Sequence, residues 1–246
     1  MKILVCVSKT LDTTAKVSFS ADGTAFNEAG AQYIMNPYDE WYALVRALEL
    51  KETLGGTVTL LNVGGADNET VMRKGLAIGA DDAVRIDISP KSALGAAKQI
   101  AEYARSQAYD LILLGKETID YNGSEVGAMV AELLDMPYVS YVSKLDMSGA
   151  TATLERDIEG GTEVVEVETP FVASAAKGMA EQRIPNMRGI MTAKTKQLLV
   201  VDPVAFNDPA VIVSYRLPPQ KTAVKMVSPD DMDELVRLLH EEAKVI

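Results

Sequence analysis

Short aliphatic and β-branched runs alternate along this chain with longer stretches of helical periodicity. The runs lie at residues 3–7, 58–63, 83–86, 110–114 and 170–174. Strands that alternate with helices are typical of a parallel sheet whose strands are joined by crossover helices. The pattern therefore predicts a doubly wound α/β fold, in which ligands bind beyond the carboxyl ends of the strands.

The helix predicted after the first strand has a clear beginning. Asn36 is suited to be its N-cap, and Pro37 is suited to be its first residue. Its apolar residues recur at the i, i+3, i+4 and i+7 spacing of one helix face, namely Trp41, Leu44, Val45 and Leu48. The same kind of periodicity predicts further helices at residues 68–80, 92–107 and 123–134.

The pattern changes after Pro137. Residues 138–145, 151–156 and 163–168 are short alternating segments separated by glycine-containing turns, which predicts an antiparallel extension of the sheet. Residues 178–196 show neither helical nor strand periodicity. A loop of this length in a compact domain is commonly functional.

The last part of the chain differs from the rest. The Pro-Pro-Gln-Lys sequence at 218–221 is typical of an extended linker, and residues 229–246 have the apolar spacing of a terminal helix. We therefore predict one α/β domain over residues 1–217 and an arm with a helix over residues 218–246. We expect a helix reached through such an arm to dock on a partner.

Composition and charge remove several classes of function. The chain has 24 Lys and Arg against 35 Asp and Glu, a formal net charge of −11, whereas nucleic-acid binding needs a dense cationic face. With one His and one Cys, the chain cannot form an internal disulfide or a Cys/His zinc cluster, and a Ser/His/Asp triad would have to use His240. Its apolar runs are too short to span a membrane. Its opening residues pass directly into a strand pattern without the features of a targeting peptide, which predicts a cytoplasmic protein.

The strongest local feature is the polar, glycine-containing segment 115–127. It leaves the predicted strand at 110–114 and enters the predicted helix at 123–134, so it would present backbone N–H groups and a helix N-terminus to an anion. A ligand that carries phosphate fits this arrangement. An ordinary strand-to-helix connection would explain the same residues.

With these segments in place, the chain resembles the β subunit of electron transfer flavoprotein over nearly its whole length. The matching sequences occur in family order: Lys-Ile-Leu-Val-Cys-Val at 2–7, Met-Asn-Pro-Tyr-Asp-Glu at 35–40, Leu-Ala-Ile-Gly-Ala-Asp at 76–81, Leu-Leu-Gly-Lys at 113–116, Glu-Arg-Asp-Ile-Glu-Gly-Gly at 155–161, Arg-Gly-Ile-Met at 188–191 and Pro-Pro-Gln-Lys at 218–221. Several landmarks at consistent spacing are far more specific than any single motif.

The resemblance implies a Rossmann-like, adenine nucleotide hydrolase-like domain in a heterodimer. In this family the larger α subunit makes most of the contacts with FAD, and the β subunit binds an adenine nucleotide, usually AMP. The positions of this chain that match the nucleotide site are Cys6, Asn36, Pro37, Tyr38, Asp39, Val63, Gly115, Lys116, Glu117, Thr118, Ile119, Asp120, Tyr121, Asn122, Gly123, Ser124, Glu125 and Val126.

The resemblance also implies surfaces for partners. Residues 178–196 match a recognition loop that docks on dehydrogenases, with Met187 at the position of the apolar anchor and Arg183, Ile184 and Arg188 beside it. Asp157 matches an acidic position that is expected to face the FAD-carrying domain. The terminal helix would dock on the α subunit.

One departure from the family concerns the nucleotide loop. Where the family usually has Asn-Gln-Thr, this chain has Ser124, Glu125 and Val126. A carboxylate near the expected phosphate would repel the dianionic phosphate of AMP more than the diester of FAD. AMP stays the first expectation, and a second FAD, as in electron-bifurcating members, is the alternative.

The predicted function is that of an electron carrier and not of an enzyme. The FAD would accept electrons from acyl-CoA or related dehydrogenases and pass them to a quinone oxidoreductase or another acceptor. An ATP-binding adenylating enzyme is an alternative of another class, but the Ser-Lys-Thr sequence at 8–10 lacks the glycines of its pyrophosphate loop. A stress-protein-like nucleotide-binding module would need a longer glycine spacing than that of Gly115 and Gly123.

Overall fold

The computed structural model describes residues 1–220 and 224–246, so Lys221 of the predicted arm lies outside the described residues. Two compact units are distinguished within it. The first comprises residues 1–17 and 27–213, and the second comprises residues 18–26 and 214–246. The division at residue 217 drawn from the sequence stays a prediction.

The first unit contains a large mixed sheet. The strands of the described chain are β1 (Lys2–Cys6), β2 (Lys9–Leu11), β3 (Tyr33–Met35), β4 (Thr57–Val63), β5 (Asp82–Ile86), β6 (Leu111–Gly115), β7 (Tyr138–Ser148), β8 (Thr151–Ile158), β9 (Gly161–Glu168), β10 (Phe171–Ala175) and β11 (Leu198–Val201). The sheet has the order β11-β5-β4-β1-β6-β10-β7-β8-β9, while β2 and β3 pair separately. The strands from β11 to β7 are parallel to their neighbours, which confirms the predicted fold class.

Helices cover both faces of this sheet. Among the described residues, the α-helices of the first unit are α1 (Asp39–Leu54), α2 (Glu69–Ile78), α3 (Ala93–Arg105), α4 (Val126–Leu134) and α5 (Met187–Ala193), and the second unit contains α6 (Met232–Arg237). Ile3 and Val5 of β1 lie in one apolar cluster with residues of α1 and α2, whereas Leu4 and Cys6 lie in another with residues of α3 and α4. The side chains of a strand alternate between the two faces of a sheet, so β1 packs against a helical layer on each side.

The predicted antiparallel extension is also present. β7 pairs in parallel with β10 on one side and antiparallel with β8 on the other, and β9 pairs antiparallel with β8. The segment at 198–201, which we did not predict as a strand, is β11 and pairs in parallel with β5.

Four predicted elements differ from the structure. α1 begins at Asp39 and not at Pro37, and α4 begins at Val126, three residues later than predicted, because Ser124 has a left-handed backbone with φ 52°. Residues 178–196 are not wholly a loop, since α5 lies within them and is capped by the side chain of Asn186. In the tail, α6 and a π-helical turn at Leu238–Ala243 together are shorter than the predicted helix at 229–246.

The second unit has a small aromatic cluster of its own. The rings of Phe19 and Tyr215 are stacked with centroids 5.1 Å apart, and Phe26 meets Phe19 edge-on at 6.3 Å. The apolar side chains Met232 and Val236 of α6 are exposed. In the described parts of the chain, no helix has both the length and the apolar character needed to cross a membrane.

Candidate nucleotide site

The chain changes direction across the sheet beside β1. From β1 it proceeds to β4 and β5 on one side, and it then returns to β6 on the other side. Such a switch point leaves a crevice at the carboxyl ends of the two central strands, where ligands of doubly wound folds bind. Here those ends are Cys6 of β1 and Gly115 of β6. The predicted nucleotide loop follows directly after Gly115.

Asn36 ties two of the predicted nucleotide segments together. Its side-chain Nδ2 donates to the carbonyl oxygen of Glu117 at 3.0 Å, and its Oδ1 accepts the N–H of Ile119 at 3.0 Å. Its own backbone N–H donates to the carbonyl oxygen of Ser8 at 2.9 Å. The prediction that Asn36 caps α1 is therefore wrong, because its amide bonds to the loop after β6, eighty-one and eighty-three residues further along the chain.

Gly115 lets the first turn of α1 approach the end of β6 closely. A Cβ at this position would lie 2.8 Å from Cγ of Glu40, 3.0 Å from its backbone nitrogen and 3.1 Å from Cβ of Asp39. These distances are shorter than ordinary carbon contacts. The absence of a side chain at Gly115 thus allows Asp39 and Glu40 to lie at the crevice.

Asp39 and Glu40 are both buried, although they are acidic residues in the first turn of a helix. Glu40 is 4% exposed, and its Oε2 accepts the N–H of Ser8 at 2.6 Å. Burial raises the pKa of Glu40 from 4.5 to about 8, with the charges of Asp120 and Asp39 adding to the shift and the Ser8 bond opposing it. Burial likewise raises the pKa of Asp39 to about 6, with Lys116 opposing the shift. Near neutral pH, Glu40 therefore favours its uncharged form.

The raised pKa of Glu40 predicts a specific pH dependence of stability. The folded state binds this proton more tightly than the unfolded state, so the free energy of unfolding should fall as the pH rises from 4.5 to 8. Each pKa unit corresponds to about 1.4 kcal/mol, so the fall should be on the order of 5 kcal/mol.

Urea unfolding across this pH range measures that dependence. Glu40→Gln, which keeps the shape without a titrating proton, should flatten the profile, and Glu159→Gln in the exposed β8–β9 turn is the matched control. An equally steep profile in Glu40→Gln would contradict this role for the buried carboxyl.

Cys6 and Val63 occupy the ends of their strands without reactive surroundings. Cys6 is buried, and burial together with the nearby Glu40 raises the pKa of its thiol. The end of β4 is held by Asn62, whose Nδ2 donates to the carbonyl oxygen of Val7 at 2.8 Å and whose Oδ1 accepts from Asn68 at 2.8 Å. Any ligand contact of Cys6 and Val63 would use their backbone or apolar atoms.

The loop after Gly115 is held by its own polar side chains. Lys116 pairs with Glu117 at 3.0 Å, and the other Glu117 oxygen accepts from Oγ of Ser124 at 3.3 Å. Tyr141 of β7, which sequence reasoning did not identify, donates its hydroxyl to Ser124 at 3.3 Å. The backbone N–H of Asn122 donates to the carbonyl oxygen of Thr118 at 2.9 Å. Hydrogen bonds within the chain itself therefore hold the shape of this loop.

Glu125 lies at the N-terminus of α4, where a phosphate is expected. Its side chain makes no capping hydrogen bond, and its Oε1 lies 3.2 Å from the place of a Cβ on Gly123. The carboxylate is therefore folded back onto the loop. Its charge adjoins the glycine that would allow a phosphate to approach the backbone.

A cavity of about 420 Å³ opens at this side of the molecule. Its volume is within the range of small-molecule sites. It brings Asp157, which the sequence assigned to a partner surface, together with nucleotide-loop residues, and it adds residues that the sequence did not indicate. The lining residues are Pro37, Tyr38, Asp39, Tyr42, Lys116, Glu117, Ile119, Tyr141, Asp157, Ala176 and Lys177.

Two tyrosines at this cavity have unusual backbones. Tyr38 has φ 64° and Tyr141 has φ 55°, in the left-handed region that favours glycine, and both rings are exposed. Bulky residues in this region cost on the order of 1 kcal/mol and occur where the surrounding structure holds them. Lys116 lies over the Tyr141 ring, with Nζ 5.6 Å from its centroid. Aromatic faces and a cation are therefore available to a planar, anionic ligand.

The predicted partner residues 183–188 lie apart from this cavity. Arg183, Ile184 and Arg188 line a second cavity of about 380 Å³, while Met187 begins α5. Ile184 is 80% exposed and Met187 is 77% exposed. Apolar side chains exposed to this extent in a contiguous segment are typical of surfaces that bind another protein.

The described side chains include no group of three or more His, Cys, Asp and Glu that could hold a metal ion. The described residues thus form a crevice with a cation and aromatic faces and, apart from it, an exposed apolar segment that includes Ile184 and Met187.

Comparisons with known proteins match one family over most of the chain. The model of the electron transfer flavoprotein domain matches residues 23–205, a range that includes the segments 36–39 and 115–126 and the exposed Met187. The chain is 37% identical to electron transfer flavoprotein subunit beta of Bacillus subtilis (strain 168), over 100% of both chains. It is 34% identical to the same subunit of Syntrophomonas wolfei, over 91% of this chain and 88% of that one, and 32% identical to that of Homo sapiens, over 94% and 95%.

Proposed function

The chain belongs to the family of electron transfer flavoprotein β subunits, and on that premise we propose that it forms a heterodimer with an α subunit and holds FAD jointly with it. The role of this family is electron transfer. The FAD would accept electrons from acyl-CoA or related dehydrogenases and pass them to a quinone oxidoreductase or another acceptor. The flavin supplies the redox chemistry when it is bound, and this chain supplies orientation and surroundings.

We assign an adenine nucleotide, AMP first, to the crevice beside β1 and β6. The strongest support is the Asn36 side chain, which fixes the loop at Glu117 and Ile119 against the entry to α1. The nucleotide segments are thereby held in one place although they are far apart in sequence. AMP in this crevice would act as a structural ligand that stabilises the folded chain by binding to it.

The position of Glu125 supports a second candidate for the same crevice. Its carboxylate lies back on Gly123 and would repel the two negative charges of an AMP phosphate more than the single charge of each phosphate in a diester. A second FAD, which contains such a diester, is therefore the alternative ligand. Because Glu40 favours its uncharged form near neutral pH, it adds little negative charge to the crevice, whether the ligand is AMP or a second FAD.

The cavity that joins Lys116 and Asp157 supports a place for the α subunit. It connects the nucleotide loop with the position that is expected to face the FAD-carrying domain. The exposed segment with Ile184 and Met187 would serve the other contact, that with the donor dehydrogenase. In this proposal the chain turns over no substrate of its own.

Coexpression with an α subunit of this family tests the proposal. We expect the coexpressed pair to copurify as a yellow complex with the absorption spectrum of a flavin, and the chain purified alone, as the matched control, to be colourless. A complex that forms but carries no flavin would contradict the proposal. So would a chain that binds no α subunit.

A further inference from the structure

The recognition segment, residues 178–196, presents three apolar side chains to solvent. Ile184, Met187 and Met191 are 80%, 77% and 70% exposed. Two of them belong to α5, which has seven residues. Helices this short are not stable alone in water. Contacts with the rest of the first unit must therefore hold α5 in place.

One such contact comes from α2. Nη1 of Arg73 donates to the carbonyl oxygen of Ala193 at 2.8 Å and to that of Lys196 at 2.7 Å. Ala193 is the last residue of α5, and the last carbonyls of a helix have no partner within the helix. A cation at this end also interacts favourably with the helix dipole. Arg73, which belongs to the neighbouring helix α2, thus caps the C-terminal end of α5.

Lys196 makes the reciprocal contact. Its Nζ donates to the carbonyl oxygen of Leu76 at 3.0 Å and also to that of Ala80. The Leu76 carbonyl belongs to the last turn of α2, and Ala80 follows two residues after the helix ends at Ile78. Each of the two segments therefore satisfies the last carbonyls of the other with a cation, which fixes α5 relative to α2.

Gly189 allows the two helices to touch. A Cβ at this position would lie 2.3 Å from the carbonyl oxygen of Ala77 in α2, a distance at which the backbones would have to move apart. Gly is otherwise a poor residue for the interior of a helix, where Ala would favour the helix by about 1 kcal/mol. The close contact accounts for Gly189 in the middle of α5.

The entry to the segment is held as well. Nε1 of Trp41 donates to the carbonyl oxygen of Arg183 at 3.1 Å, and the Arg183 guanidinium forms two hydrogen bonds with the Glu52 carboxylate, at 2.6 and 3.0 Å. Trp41 and Glu52 both belong to α1. The segment is therefore attached to the domain on both sides of the exposed Met187.

We propose that Arg73, Lys196 and Gly189 are positioning residues for electron transfer with the donor dehydrogenase. They hold α5 against α2, so that Met187 and Met191 are displayed in one orientation before the partner arrives. A preorganised anchor avoids the free-energy cost of ordering side chains and backbone on binding. This inference rests on the proposed docking role of the recognition segment.

Variants of Arg73 and Gly189 test the positioning role in the heterodimer, with a purified acyl-CoA dehydrogenase and its acyl-CoA as reductant. Arg73→Met and Gly189→Ala should each raise the dehydrogenase's KM for the heterodimer about three- to tenfold while kcat stays unchanged. Exchange of the backbone N–H of Ile190, which bonds to Asn186 at 3.0 Å, should become faster. Arg73→Lys, which keeps a donor for both carbonyls, should recover part of the loss.

The matched control is Arg105→Met, since Arg105 donates from α3 to the carbonyl oxygen of Leu133 near the end of α4, at 2.6 Å, on the other face of the sheet. Its KM should stay as in the wild type. Gly189→Ala also distinguishes loss of the contact between α5 and α2 from a change in helix propensity. Propensity alone would make α5 more stable, whereas the added Cβ should force α5 away from Ala77 of α2.

Each remaining outcome overturns one part of the account. If Met187→Ala raises the KM but Arg73→Met and Gly189→Ala leave it unchanged, docking stands and the positioning role is wrong. If kcat and flavin content fall while KM rises, the residues are merely structural and the positioning role is again wrong. If Met187→Ala leaves the KM unchanged, or no acyl-CoA dehydrogenase reduces the heterodimer, the proposed docking fails and this inference fails with it.

Discussion

Replacing Met187 by alanine is expected to raise the KM of an acyl-CoA dehydrogenase for the heterodimer, its electron acceptor, by about 10- to 30-fold, with kcat unchanged. The side chain is 77% exposed at the first position of α5, so its loss removes a contact with the partner and little packing within the chain. An unbranched thioether side chain adapts well to an apolar pocket on another protein. Steady-state reduction of the flavin by a fixed, catalytic amount of dehydrogenase, at varied heterodimer concentration, measures both constants.

Leu199→Ala is the matched control, because Leu199 is an exposed aliphatic residue of the edge strand β11 with no assigned partner surface. The control should keep the wild-type KM. Equal effects of the two substitutions would mean that general loss of exposed apolar surface, and not a specific anchor, explains the result.

Replacing Asn36 by alanine is expected to abolish copurification of the nucleotide in the crevice and to lower the free energy of unfolding by about 3 kcal/mol. The substitution removes two hydrogen bonds of 3.0 Å and leaves the carbonyl of Glu117 and the N–H of Ile119 without them. Because Asn36 is fully buried, water does not readily replace its amide. The loop would then lose the shape that presents it to a phosphate.

Urea unfolding and chromatography of the released nucleotides measure the two effects. Asn36→Asp keeps the shape and the acceptor but sets a buried carboxyl oxygen against the carbonyl of Glu117, so it should lower stability at least as much and also weaken nucleotide binding. Asn27→Ala is the matched control, since the Asn27 side chain accepts from the nearby N–H of Ala29, at 3.2 Å, in an exposed turn. Full nucleotide content in Asn36→Ala would show that this residue does not organise the crevice.

Asn36 also shows what local sequence can and cannot predict. Asn followed by Pro is a reasonable local signal for a helix start, and α1 does begin nearby, at Asp39. The side chain nevertheless bonds to Glu117 and Ile119, and Tyr38 takes the cap position with φ 64°. Those partners come from the loop after β6, and they become neighbours only when β6 lies beside β1. Capping chemistry read from adjacent residues cannot anticipate this.

The strands and most helices could be predicted because their signals are local. Apolar runs predict β1, β4, β5, β6 and β10. The resemblance to the family is confirmed by a match over the whole chain. α5 was missed because its apolar residues Met187, Ile190 and Met191 face solvent, so they do not mark a buried helix face. Only Asn186 three residues before Gly189 offered a sign, and its side chain does accept the Gly189 N–H, at 2.8 Å.

Features of the site that depend on distant contacts were beyond the sequence. Asp157 and Lys116 line one cavity because β7 and β8 extend the sheet past β10, which no spacing between these residues reveals. The burial of Glu40 against Gly115 has the same origin, and it changes the charge of the crevice. The residue types of the nucleotide loop could be identified, but their surroundings required the fold.

Chromatographic identification of the nucleotides released by denaturing the coexpressed heterodimer tests the account most directly. One FAD and one AMP per heterodimer is the predicted result, since the account places the flavin between the subunits and the adenine nucleotide in the crevice beside Asn36. Release of two FAD would mean that the crevice binds the alternative ligand, a second FAD, whose diester Glu125 repels less than the phosphate of AMP. A heterodimer that releases no FAD would contradict the account.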